Sequence, residues 1–267
     1  MAEPKIKMAR PIRHGTFSNS KVDIIIPFHA QYHSVIRLME SIIFTTKSNP
    51  YHICLVDDAS PNISFEQEIN EQFKKKTPEG IKPQVSVVRL EEQKGFAGAL
   101  NYGLEHTEQP WVVFMHSDCV VLDQGWLIEM GKSLMNWEGD KKPVKMVSSR
   151  TDNPGPYSAV FKAKQRERGP DRILDEGHLP LFCTMCQRSL FDQIGGFLKE
   201  YPFAWYEDEE LAYRMKHYGF NQGICGRSWV KHIGGSTVES LWRDHPETKQ
   251  IMEENRTRCI EDMKALA

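Results

Sequence analysis

Short runs of branched apolar residues alternate with amphipathic stretches along the first half of the chain. Val22-Asp23-Ile24-Ile25-Ile26-Pro27-Phe28, His52 to Val56, Val85 to Val88, Trp111 to Met115 and Val144 to Ser148 have the length and composition of strands buried on both faces. Between them Val35, Leu38, Met39, Ile42 and Ile43 recur at helical spacing, as do Phe65, Ile69 and Phe73, then Ala97, Leu100 and Leu104, then Trp126, Met130 and Leu134. This alternation predicts an α/β fold with a single open, mostly parallel, doubly wound sheet flanked by helices. Ligands of such sheets bind beyond the carboxyl ends of the strands. Those ends carry Pro27-Phe28-His29, Asp57-Asp58-Ala59-Ser60 and His116-Ser117-Asp118.

The pattern breaks between Thr151 and Arg172, where Pro154, Gly155, Pro156, Gly169 and Pro170 flank the basic residues Lys162, Lys164, Arg166 and Arg168. A long loop is expected there, either functional or a solvated excursion. Apolar spacing resumes over Leu179 to Cys186 and over Arg188 to Ile194, which closes on Gly195-Gly196. A helix is expected from Glu207 to Tyr218, with Gly219 as its C-terminal cap. Strand-like runs near Ile224 and Trp229-Val230 lead to His232, and Ile251, Met252, Cys259 and Met263 mark a final helix. Residues 1–20 read as an extended arm, residues 21–240 as one domain, and residues 241–267 as a helix packed on it.

Composition narrows the function classes. A formal net charge of -2 lacks the basic excess of a dedicated nucleic-acid binder. No apolar run reaches the roughly 20 residues of a membrane-spanning helix, and the start has no apolar segment for secretion. A cytoplasmic protein is therefore expected, with a peripheral position at a membrane as a further option. The six cysteines read as buried free thiols. Cys183 and Cys186 form a C-x-x-C pair without the second pair or nearby histidine pair of a zinc site.

Several clusters have the chemistry of a site. Asp57, Asp58 and Ser60 could bind a nucleobase or ribose, or form a capping turn. Asp118 is a hard oxygen ligand placed to hold Mg²⁺ or Mn²⁺ beside a diphosphate, or is a turn aspartate. Glu207-Asp208-Glu209-Glu210 would favour a helix N-terminus, or supply a carboxylate that deprotonates an acceptor hydroxyl. His232 could be structural, a metal ligand or a phosphate contact. Gly95-Phe96-Ala97-Gly98 could open a helix toward phosphates, yet it lacks the Walker lysine and the G-x-G-x-x-G spacing, so neither an ATPase nor a nicotinamide site is supported.

Taken in order over about residues 21 to 240, these pieces resemble the family-2 glycosyltransferases of the GT-A fold, whose sheet is Rossmann-like. Val22 to Pro27 with His29 resembles the family's opening strand, Val56 to Ser60 its nucleotide-binding turn, and Lys94 to Asn101 its donor-lining segment. His116-Ser117-Asp118 is similar to its Asp-x-Asp metal motif, with histidine at the first position. Cys186 to Phe197 looks like the segment before the acceptor site, Tyr206 to Leu211 resembles the motif whose second acidic residue is the base, and His232 to Ser236 the later histidine with its glycine turn.

The resemblance implies transfer of a sugar, with inversion, from a nucleotide-diphosphate donor to an acceptor hydroxyl. A UDP- or dTDP-sugar is favoured as donor. Asp208 and Glu207 are implied as catalytic; Pro27, His29, Asp57, Asp58, Ser60, Gly95, Asn101 and Ser117 as donor-binding; and Asp118, His116 and His232 as ligands of Mn²⁺ or Mg²⁺. The acceptor is a glycan, a lipid-linked intermediate, a protein or a modified nucleic acid. The alternatives are a sugar-nucleotide-binding protein without transfer, and a nucleotidyltransferase.

Overall fold

The structure is a computed structural model and describes residues 6–8, 17–46, 50–61, 65–75, 84–137, 143–154, 161–165, 167–174, 177–234 and 247–266. Its elements in chain order are β1 (Ile6–Met8), β2 (Val22–Phe28), α1 (Tyr32–Thr45), β3 (Tyr51–Asp57), α2 (Phe65–Lys75), β4 (Gln84–Arg89), α3 (Gly95–Glu105), β5 (Trp111–Met115), β6 (Cys119–Val120) and α4 (Trp126–Asn136). There follow β7 (Val144–Arg150), β8 (Arg172–Leu174), β9 (Cys183–Gln187), α5 (Ser189–Gln193), α6 (Glu207–His217), β10 (Asn221–Trp229), β11 (Lys231–His232) and α7 (Thr248–Leu266).

Nine strands form one sheet in the order β1-β8-β10-β7-β9-β5-β2-β3-β4. β5, β2, β3 and β4 are mutually parallel, as are β7 and β10, and the reversed strand β9 joins the two groups. β8 is also reversed, against β10 on one side and β1 on the other. The mostly parallel expectation therefore holds, with two reversed strands. β1 belongs to the segment read as an arm; within it Phe17 is also buried, edge-on to Trp111 at 5.1 Å.

A second, two-stranded sheet lies outside the single-sheet expectation: β6 pairs with β11 in antiparallel register, Cys119 opposite His232. Two-residue strands have no periodicity to read. This pairing is nevertheless what brings His232 to the end of β5.

Both sheet faces are packed, which is why the strands read as continuous apolar runs. α3 lies close on one face because Gly103 has no side chain; a Cβ there would sit 2.4 Å from Ile25 Cγ2. Asp23, the polar interruption of β2, is fully buried and partnered: it accepts from the Gln109 amide at 2.7 Å and pairs with His52 Nδ1 at 2.8 Å and Arg188 at 3.2 Å. His52 Nε2 meets Ser86 Oγ at 2.8 Å, so a polar seam crosses three strands at their starts, far along the strands from their carboxyl ends.

All six cysteines are buried free thiols. Cys183 and Cys186, three apart on a strand, point into opposite core layers and cannot share one ion. The described parts of the 151–172 segment are tied down: Phe161 is buried, Trp229 Nε1 donates to the Ala163 carbonyl at 2.9 Å, and Arg168 donates to the Arg227 carbonyl at 2.7 Å. Lys162, Lys164 and Arg168 are exposed; Arg166 lies outside the described residues.

Candidate active site

The carboxyl ends of β2, β3 and β5 converge with β11 and the start of α6. His116, Asp118 and His232 each offer a ligand atom, and these atoms lie within 4.8 Å of one another. Among the described residues this is the one such cluster. His116 follows β5, and its amide donates to the Phe182 carbonyl at 2.9 Å. Phe182 in turn stacks on His232 with centroids 5.0 Å apart.

His232 Nδ1 lies 3.0 Å from the Asn153 carbonyl oxygen. A carbonyl only accepts, so Nδ1 carries the hydrogen and the neutral ring turns the Nε2 lone pair to Asp118 Oδ1, 3.4 Å away. Asp118 Oδ2 accepts from the Gly234 amide at 3.1 Å, whereas Oδ1 is buried with no hydrogen-bond donor among the described residues. Two acceptors facing each other call for a cation between them, a proton or a metal.

The electrostatics agree. Burial opposes the charge of Asp118, but His232, His116 and the Gly234 amide outweigh it and hold the carboxyl down at about 2. Burial also opposes a charge on His232, yet Asp118 and the Asn153 carbonyl raise its pKa. His116 is pushed down to about 4 by burial and by His232, so it is a neutral ligand at pH 7. The donor set of two imidazoles and a carboxylate thus fits a divalent ion.

The Asp57-Asp58 turn is built differently. Asp57 accepts from the Ser60 amide at 2.8 Å and pairs with Arg89, which also donates to the Ser60 carbonyl. Asp58 accepts from the amides of Lys94 at 2.7 Å and Gly95 at 2.9 Å; burial still pushes its carboxyl up against these two bonds. Phe96 N donates to the Phe203 carbonyl at 2.9 Å. The first amides of α3, the group with which a helix start would meet a phosphate, are therefore bound inside the protein. Gly95 is at φ +75, and a Cβ there would sit 2.3 Å from the Phe203 oxygen, which explains a glycine at this position.

Among the remaining residues expected to bind donor, His29 Nδ1 donates to the Asp58 carbonyl at 2.7 Å, and Ser60 Oγ, fully buried, accepts from Ala30 N at 2.8 Å. Pro27 is buried within β2, and Ser117 Oγ lies 3.4 Å from Gln31 Oε1. Asn101 bonds the Leu198 carbonyl and amide and Glu200, fixing the chain beyond α5. His29, Asp57, Asp58, Ser60 and Gly95 form one continuous group, which reaches the metal-type cluster through Phe96, edge-on to His116 at 4.8 Å. Asn101 stands apart from it, on the clamp to residues 198–200.

The four acidic residues of α6 separate into different environments. Glu210 is buried and paired with Arg214 at 3.0 Å, and Arg214 also holds the carbonyls of Gly196 and Phe197. Glu209 is half-buried, its carboxylate 4.0 Å from His178 Nδ1. Asp208 accepts from Glu209 N at 3.0 Å, and its other oxygen is 3.7 Å from His178 Nε2. Glu207 is buried, and burial followed by the adjacent Asp208 pushes its carboxyl up to about 8. Its Oε2 has no hydrogen-bond partner among the described residues, as suits a carboxyl that keeps its proton. His178 carries no motif and was not legible from sequence. Its stretch, 178–182, links Asp208 at one end to His116 and His232 at the other.

The metal-type cluster thus sits at the strand ends of a doubly wound sheet, and the acidic first turn of α6 reaches it through residues 178–182. Residues 23–195 match the glycosyl transferase family 2 model, and the chain belongs to this family of glycosyltransferases. No curated protein sequence matches the chain closely enough to add to this.

Among solved structures, the mannosyltransferase PcManGT from Pyrobaculum calidifontis, in complex with GDP-Man and Mn²⁺, is 17% identical with a TM-score of 0.61, over 88% of this chain and 63% of that one. TarS residues 1–349 of S. aureus, in complex with UDP-GlcNAc, is 14% identical with a TM-score of 0.59, over 82% and 61%. GalNAc-T7 with UDP, GalNAc and Mn²⁺ is 15% identical with a TM-score of 0.57, over 80% and 44%. These likenesses show the GT-A fold, and the chain spans less than two thirds of each of these proteins. Among the described residues no helix is long and apolar enough to cross a membrane.

Proposed function

We propose that the chain transfers a sugar from a nucleoside-diphosphate donor to an acceptor hydroxyl with inversion at the anomeric carbon. The observation that carries this reading is the buried Asp118 oxygen facing His232 Nε2 beside His116, at the strand ends of a family-2 chain. The transferase unit on this reading is residues 21–240, with α7 packed against it.

His116, Asp118 and His232 would hold a divalent ion, Mn²⁺ or Mg²⁺, which when bound would offset the negative charge of the donor diphosphate. Asp208 supplies the base. Its Oδ2 takes the proton of the acceptor hydroxyl as that oxygen bonds to the anomeric carbon. The bond from that carbon to the diphosphate oxygen breaks on the opposite side, and the nucleoside diphosphate leaves with the electron pair. Glu207, by keeping its own proton, spares Asp208 a like charge at its side. His178 lies against Asp208 and limits the directions from which a hydroxyl approaches it.

Release of nucleoside diphosphate from UDP-, dTDP- and GDP-sugars in the presence of Mn²⁺ tests the reading. One donor should be consumed selectively, and Asp208→Asn should lower turnover by about 10²-fold or more while donor affinity is kept. Near-normal turnover in Asp208→Asn would remove Asp208 as the base. A nucleoside triphosphate consumed with release of pyrophosphate would replace the reading with nucleotidyl transfer.

A further inference from the structure

The chain that leads into Asp208 holds an unfavourable backbone conformation. Phe203, Trp205 and Tyr206 have φ of 63°, 79° and 76°, a left-handed region that bulky residues enter only at a cost. Such values persist only where the surroundings impose them. On one side the imposing contact is α3, whose Phe96 amide donates to the Phe203 carbonyl. On the other it is α7, which lies beyond the part of the chain that matches the family model.

α7 meets this segment with side chains spaced four and then three residues apart, on a single helical face. Asn255 is wholly buried, and its Nδ2 donates to the carbonyls of Pro202 and Ala204, both at 2.9 Å. Cys259 Sγ reaches the Tyr206 carbonyl at 3.8 Å, and Tyr201 donates its hydroxyl hydrogen to Asp262 at 2.9 Å. Both partners of Asn255 are acceptors, so the orientation of its amide is fixed. The Pro202 carbonyl belongs to the peptide before Phe203, and the Ala204 carbonyl to the peptide before Trp205. One side-chain amide therefore sets the two peptide planes whose tilt produces the first two left-handed residues. The third, Tyr206, is the residue before α6 begins at Glu207-Asp208.

We propose that Asn255 is a positioning residue: by fixing the 202–206 backbone it aims the first turn of α6, and so Asp208, at the acceptor hydroxyl. The assignment rests on Asp208 as the base. Removing the two donors lets the segment relax to ordinary φ values, which turns the start of α6 while the metal-type cluster stays in place.

Asn255→Ala removes the donors, and Asn255→Asp keeps the shape but sets a carboxyl against two carbonyls. Hydrogen exchange at amides 203–210 should rise about tenfold in Asn255→Ala and further in Asn255→Asp, with β2 and β3 unchanged. A side chain that only filled space would give the opposite order. Hydrolysis of the consumed sugar nucleotide with Mn²⁺ should show kcat lower by about tenfold or more and donor KM within about twofold. Where neither variant folds, Asn255→Ser, which keeps one donor, should show smaller changes of the same kind.

Exchange at 203–210 equal to wild type overturns the proposal, as does raised exchange with unchanged kcat. A wild type that hydrolyses none of the donors counts against sugar transfer alone, and the exchange order then still decides whether Asn255 sets the segment.

Discussion

Two acidic turns lie at the carboxyl ends of parallel strands, after β3 and after β5, and the protein treats them in opposite ways. At the first, Asp57 and Asp58 are bound by Ser60 N, Arg89, Lys94 N and Gly95 N, so the turn holds β3, β4 and α3 together. At the second, Asp118 keeps a buried oxygen with no donor among the described residues, opposite a histidine lone pair. The same residue type at the same topological place is in one case bound by several local donors and in the other faces only His232 and the Gly234 amide. Position at a strand end thus admits a ligand role, and the supply of local donors decides whether the role remains open. Glu207 is a third case: its orphan oxygen is buried too, and a retained proton meets it.

Asp118→Ala gives the sharpest test of this contrast. Nucleoside diphosphate with Mn²⁺ near 100 times its Kd should raise the wild-type midpoint by roughly 5–10 °C. That increment should vanish in Asp118→Ala. Asp58→Ala should do the reverse, lowering the midpoint without ligand by an amount on the order of 4–8 °C, since two helix-start amides lose their acceptor at a cost of about 2 kcal/mol. Its Mn²⁺-dependent increment should remain. An Asp58→Ala that loses the increment, beside an Asp118→Ala that keeps it, would invert the comparison.

Glu207→Gln should show itself as a slope with pH and not as a fixed shift in midpoint. The folded state holds the Glu207 proton up to about 8, and the unfolded chain releases it in the ordinary carboxylate range. Between those limits the unfolded state binds fewer protons, so the wild type loses stability as pH rises, by at most about 1.4 kcal/mol per pH unit from this group. The stability of Glu207→Gln relative to wild type should climb across that window. Denaturant unfolding at pH 5 and pH 8 measures it, and equal differences at the two pH values would remove the assignment of a proton to Glu207.

Much of the fold was legible because burial writes itself into local pattern. The runs at β2, β3 and β5 are mostly apolar since both sheet faces are packed, and α6 ends where Gly219 takes φ +81. Of the site, Asp118 could be singled out because a strand end is itself readable, whereas the helix start offered four carboxylates and only the family resemblance pointed to Asp208 among them. Harder to read were the parts made by a few residues meeting across long separations: β1 and β8, His178 beside Asp208, Phe182 on His232, and Asn255 under the 202–206 segment. A three-residue strand or a single histidine in a loop leaves no period, and its partner lies far away in sequence.

The sequence by itself determined the alternation of strands and helices and the residue types available at each strand end, since these follow from local spacing and composition, while the family was legible as a resemblance in the order of its motifs. Only the tertiary structure decided which carboxylates are already satisfied. That depends on where Arg89, the amides of α3, and His232 arrive in space. His232 arrives through β6 and β11, two strands of two residues each, and the cation-type site exists because their pairing sets a histidine lone pair against an aspartate oxygen.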